Sequence, residues 1–232
     1  MSELVEKIRS RGHWNIVIRP GTFVGDRIPY ENLDELIPEI QVRMRGWPVP
    51  FADYGRRDLI RGSDWVGQDV DAGTVSMYEA WRLFTSGQFT HLRAVSADWR
   101  RDDERTRTPI PEGFDAAIEV WEILFYLTEV FELASRLALG EAGDEFMNIE
   151  VRLNGLENRG LVVAEWKRAE FFEPYRATMP SLEKKVNLPR DTLVAEGREQ
   201  AVEMARQIFL RFGWDASVEL LADYQRELTD RS

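Results

Sequence analysis

Cysteine is absent from this 232-residue chain. That excludes disulfides, zinc knuckles, thiol nucleophiles and iron–sulfur ligation together, and it fits a reducing, cytoplasmic setting. Histidine occurs only twice, at His13 and His91, too few for a multi-histidine metal centre. Glycine clusters at 21–25 and 62–73, but neither has the lysine or the spacing of a nucleotide fingerprint. No serine lies in a nucleophile-elbow setting. A long uncharged run is also missing. The most apolar stretch, residues 114–139, carries Asp115, Glu119, Glu122, Glu129, Glu132 and Arg136, whereas a spanning helix needs about 20 almost uncharged residues. The first 14 residues bear charges every few positions and do not read as a signal peptide. The expectation is a soluble protein with no membrane partner and no cofactor.

What is present is ample for a core: 44% hydrophobic and 11% aromatic residues. A chain of this size buries roughly 70% of its unfolded surface, so it needs no covalent staples. One domain over 1–232 is expected, with residues 100–113, charged and closed by Pro109 and Pro111, as the only candidate seam. The formal charge of −11 is uneven: residues 1–111 hold 16 Lys and Arg against 17 Asp and Glu, and residues 112–232 hold 14 against 24. An acidic half without a basic stripe argues against direct binding of nucleic acid.

Local patterns predict a short helix over 2–10, a strand from His13 to Ile18, a short helix near 32–39, and loop from Arg45 to Asp64 with its prolines and glycines. Two apolar, β-branched runs flank Thr85-Ser86-Gly87-Gln88. A two-residue Ser-Gly turn would set Phe84 opposite Phe89 and Arg82 opposite His91, leaving His91 neutral beside a cation. The longest helix is expected from Asp115 to Leu139, its carboxylates forming a solvated stripe on an otherwise buried cylinder. Residues 146–153 and 160–166 read as a second hairpin. Helices near 190–212 and after Asp215 complete the chain. The fold class is therefore α+β: an antiparallel sheet built from hairpins, packed on a long buried helix, with two C-terminal helices.

One local constellation carries chemistry. Ile149-Glu150-Val151 places an acid in an apolar strand, and Leu161-Val162-Val163-Ala164-Glu165-Trp166-Lys167 ends a second strand in Glu-x-Lys. This resembles the core of the PD-(D/E)xK nuclease superfamily. The resemblance implies Glu150 and Glu165 as Mg²⁺ ligands and Lys167 beside the attacking water, in metal-assisted hydrolysis. Glu150 stands where that superfamily usually has Asp, and Glu173-Pro174 interrupts the helix that should follow.

A second resemblance spans more of the chain. Arg11-Gly12-His13-Trp14 with Ile18-Arg19-Pro20, then Arg45-Gly46-Trp47-Pro48, then Glu79-Ala80-Trp81-Arg82-Leu83-Phe84 with Ser86-Gly87-Gln88-Phe89, looks like an uncharacterised prokaryotic family whose members occur alone or beside other domains. It implies a sensor or adaptor and supplies no catalytic residues. Five of eight tryptophans (14, 47, 65, 81 and 99) lie in the near-neutral half, and Trp with Arg is the commonest interface anchor pair. The expected function is non-enzymatic binding of a protein partner or a second copy, with Trp47 and Trp65 as the loop aromatics that make the contact. The alternative is the metal-dependent nuclease.

Overall fold

The computed structural model describes residues 2–52, 59–73, 77–99, 108–164 and 171–229. It is an α+β fold dominated by a seven-stranded antiparallel sheet. In chain order the elements are α1 (Glu3–Arg9), β1 (His13–Pro20), α2 (Leu33–Ile40), β2 (Ile60–Arg61), β3 (Trp65–Ala72), β4 (Met77–Phe84), β5 (Phe89–Ala94), β6 (Ala116–Glu119), α3 (Val120–Leu139), β7 (Phe146–Asn154), β8 (Arg159–Val162), β9 (Tyr175–Arg176), β10 (Ser181–Pro189), α4 (Arg190–Phe212) and α5 (Val218–Thr229). The large sheet runs β10-β7-β1-β5-β4-β3-β2, and β6-β8-β9 form a small second sheet.

Strand alternation divides the large sheet into two faces. Trp14, Ile16 and Ile18 of β1, Trp81 and Leu83 of β4, and Ile149 and Val151 of β7 enter the main core with α3. On the opposite face, Tyr78 and Ala80 of β4 and Leu92 and Ala94 of β5 pack beneath α1, through Ile8. Helix α3 is buried over most of its girth, α4 packs along it, and α5 closes against both.

The hairpin around Gly87 forms, but its loop has three residues. Phe84 N–H donates to Gln88 O at 2.9 Å and Gly87 N–H to Phe84 O at 2.9 Å, with Gly87 at φ +82, the left-handed region that favours glycine. Thr85 cannot join the ladder because its backbone pairs elsewhere, N–H to Asp64 O and C=O from Ile28 N–H. The register therefore moves by one: Trp81, not Arg82, lies opposite His91. Strand β3 carries Trp65, for which a loop was expected. The long helix starts at Val120, because residues 116–119 pair in parallel with β8. Ser217, rather than Asp215, caps α5 by accepting Leu220 N–H at 3.2 Å.

The second expected hairpin is not formed. Both edges of β7 are taken, by β1 and by β10, while β8 belongs to the small sheet. The chain leaves β7 through Gly155 and a fully buried Leu156, and Arg159 is anchored under Asp98 at 2.7 and 2.8 Å.

Candidate functional site

The loop between α2 and β2 is where buried charge is concentrated. Val42 and Val49 exchange two backbone hydrogen bonds, 2.9 and 2.7 Å, and close a six-residue turn between them. Gly46, at φ +93, reverses the chain, and Trp47 follows it with 37% of its surface exposed. Beneath the turn, Arg45 reaches down to α3. Its Nε donates to Glu129 Oε1 at 2.8 Å, and Nη2 donates to the other oxygen. Glu129 is completely buried. Burial works against the Arg45 charge, but Glu129 beside it prevails and holds its pKa above the usual value.

The far end of the loop is fixed to the sheet. Glu79 of β4 accepts Phe51 N–H at 2.6 Å, and Trp81 Nε1 donates to Phe51 O at 2.8 Å. Gln41 at the near end donates from its side chain to Pro50 O at 3.0 Å, and Arg136 of α3 donates to Gln41 O. Glu79 and Trp81 of β4 and Glu129 and Arg136 of α3 thus hold one loop.

Glu79 continues into a polar array on the core face. Its Oε2 lies 3.4 Å from His91 Nε2, and His91 Nδ1 is 3.0 Å from the Tyr126 hydroxyl. Burial raises the Tyr126 pKa, so the phenol keeps its proton within hydrogen-bond reach of Nδ1. Burial alone would raise the Glu79 pKa. His91, Arg93 and the Phe51 N–H outweigh it and hold the carboxyl below its usual range. Trp14 packs edge-on against Tyr126 at 5.3 Å, and the Arg93 guanidinium lies 4.8 Å from the centre of that ring. Trp14 Nε1, Arg93 Nη1, His91 Nε2 and Glu79 Oε2 are buried with no hydrogen-bond partner among the described residues, an arrangement suited to ordered water.

A carboxylate, an imidazole and a phenol in line have the make-up of a proton relay. All three groups are buried. The array positions the loop and the helix. Nearby, Glu122 of α3 accepts from Ser96 N–H and Oγ, both at 3.0 Å, and burial raises its pKa. The carboxylates of α3 are therefore not a solvated stripe: Glu129 and Glu122 face inward because Arg45 and Ser96 wait for them.

An open cleft of about 860 Å³ lies at the start of β1. Arg9, Arg11, His13, Asp98 and Arg159 are among its walls. Its charges are engaged within the protein: Arg159 holds Asp98, Ala117 O and Gly155 O, and Arg11 donates to Asp98 O. The His13 pKa is lowered by burial, and its Nδ1 pairs with Arg11 O at 2.8 Å.

Glu150 lies on the outer face of β7, where Arg19 binds it at 2.8 Å and Lys185 at 3.3 Å. Glu165 and Lys167 fall outside the described residues, and the hairpin that would carry Glu150 toward them is absent. Among the described residues no cluster of three or more acidic or histidine side chains could hold a metal ion, and no helix is long and apolar enough to cross a membrane. Trp65 stands on strand β3, not in a loop. It is half-buried over Gly62, with Arg82 at 4.7 Å and Phe84 at 6.5 Å. Trp47 alone of the two is in an exposed loop.

Sequence reasoning missed Glu79, Glu129 and Tyr126. A signal was available. Trp14, Arg45 and Glu79 all belong to the short segments already quoted, and Trp14 packs on Tyr126, Arg45 pairs with Glu129 and Glu79 faces His91. Compared with protein-family models, with curated proteins and with solved structures, the chain matches none.

Proposed function

We propose that this protein is a non-enzymatic binding module that engages a protein partner through Trp47. The observation that supports this reading is the fully buried Glu129 paired with Arg45, two residues from the exposed indole. Burying an ion pair costs several kcal/mol in desolvation, and apolar residues of similar volume stabilise a core as well or better. Such a pair is therefore better explained by the position it imposes than by stability. Here it fixes a turn that carries exposed Trp47 and exposed Arg43, residue types typical of interface anchors. Phe23 and Phe172 are more exposed, but single apolar residues at a surface are ordinary.

Trp47→Ala should leave the denaturation midpoint unchanged and weaken capture of a partner protein. A variant that unfolds would place the indole in the core and remove the basis of the reading. The net charge of −11 favours a protein over a nucleic acid as that partner. The purified chain is expected not to cleave DNA or RNA with Mg²⁺ or Mn²⁺. Metal-dependent cleavage lost in both Glu165→Ala and Lys167→Ala, with stability unchanged, would replace the binding reading by the nuclease.

A further inference from the structure

Strand β10 forms one edge of the large sheet, and the hydrogen bonds beside it determine which backbone groups it leaves open. Gly21 N–H donates to Phe146 O at 2.7 Å, which turns the even residues of β7 toward β1 and its odd residues toward β10. Arg190 N–H donating to Glu145 O at 2.8 Å agrees. The even residues of β10 therefore pair with β7. Ser181, Glu183, Lys185 and Asn187 direct their N–H and C=O away from the sheet, and all four are exposed. None of these outward groups bonds elsewhere among the described residues.

Charges on an edge strand ordinarily discourage pairing. Here they alternate in sign within the outward set, and that alternation is self-complementary. We infer that β10 pairs antiparallel with β10 of a second copy of this chain, joining two seven-stranded sheets across a two-fold axis at residue 184. In that register Glu183 of each copy lies opposite Lys185 of the other, Ser181 opposite Asn187, and Leu182 opposite Val186. A shift of the axis by one residue either way sets Glu183 against itself or Lys185 against itself, so the charges select one register. The interface has a single like-charge pair, Lys184 with its own copy. It is also isologous, as closed dimers require. This surface is separate from the Trp47 loop, and the inference does not depend on that reading.

Sedimentation equilibrium and concentration-dependent hydrogen exchange test it on the full chain. In the wild type, the amides of Glu183 and Lys185 should gain protection as concentration rises, while those of Lys184 and Val186 stay protected throughout. Lys185→Glu should weaken association about tenfold or more, since two attractive pairs become two repulsive ones. The exchange Glu183→Lys with Lys185→Glu restores the complementarity and should restore association. Lys184→Thr removes the one like-charge pair and should tighten it. A wild type monomeric at all concentrations, an association indifferent to Lys185→Glu, or a double exchange that does not recover would each overturn the inference. Circular dichroism on every variant separates these results from loss of fold.

Discussion

The two faces of the large sheet carry the same chemistry in opposite circumstances. On the core face, Arg45–Glu129 and Glu79 are buried, and each fixes a particular loop atom. On the outer face, Arg19, Glu150, Lys185, Glu183 and Arg152 form a cross-strand ladder open to water. Exposed pairs exchange protein contacts for water at little net gain, whereas a buried charge has no alternative partner. The outer ladder should be replaceable, and the inner pairs should not.

The largest effect is expected on the inner face. Glu129→Ala leaves Arg45 without its partner and should destabilise by about 3–5 kcal/mol in chemical denaturation. The paired replacement Arg45→Met with Glu129→Leu should recover most of that stability and still lose partner capture, because the turn is no longer held. A double variant that binds normally would sever the link between the ion pair and function.

Next comes Glu79→Gln, expected to cost about 1–3 kcal/mol at neutral pH by weakening the Phe51 contact. Its pH dependence has a definite sign. The folded pKa of Glu79 is depressed, so its contribution is present above the unfolded carboxyl pKa and is lost as pH falls through the folded value. Glu122 has the opposite sign. Its folded pKa is raised, so its contribution is present below the unfolded pKa and is lost as pH rises through the folded one. Stability against pH should therefore have a shallower acid limb in Glu79→Gln.

Smaller again is Gly87→Val, which should cost about 1 kcal/mol or more because a β-branched residue resists the left-handed region. At Gly87 a side chain would also meet Ala142 O at 3.0 Å. Smallest of all, Arg19→Ala should leave the denaturation midpoint unresolved from that of the wild type. A clear loss there would show that the ladder is structural and erase the contrast between the faces.

The fold class was legible because hydrophobic period and turn chemistry are local signals. They located β1, the hairpin at Gly87, the buried helix and the C-terminal pair. Register was not legible: one residue more or less in the turn depends on where Thr85 finds its partners, and those lie at Asp64 and Ile28, far along the chain. The same limit hid β3, whose Trp65 was expected in a loop, and misplaced β8, since nothing local reveals that both edges of β7 are filled. The site was half-legible. Trp47 could be picked out by its glycine and proline neighbours. Glu129 could not, because a carboxylate on an apolar helix reads as solvent-facing until an arginine 84 residues away is brought over it.

The most direct measurement is photo-crosslinking from position 43, beside the indole, in native extract, with Trp47 intact and with Trp47→Ala. A crosslink to a protein partner is expected, and it should disappear when the indole is removed while thermal stability stays the same. A crosslink of equal yield in both proteins, or none in either, would contradict the binding reading.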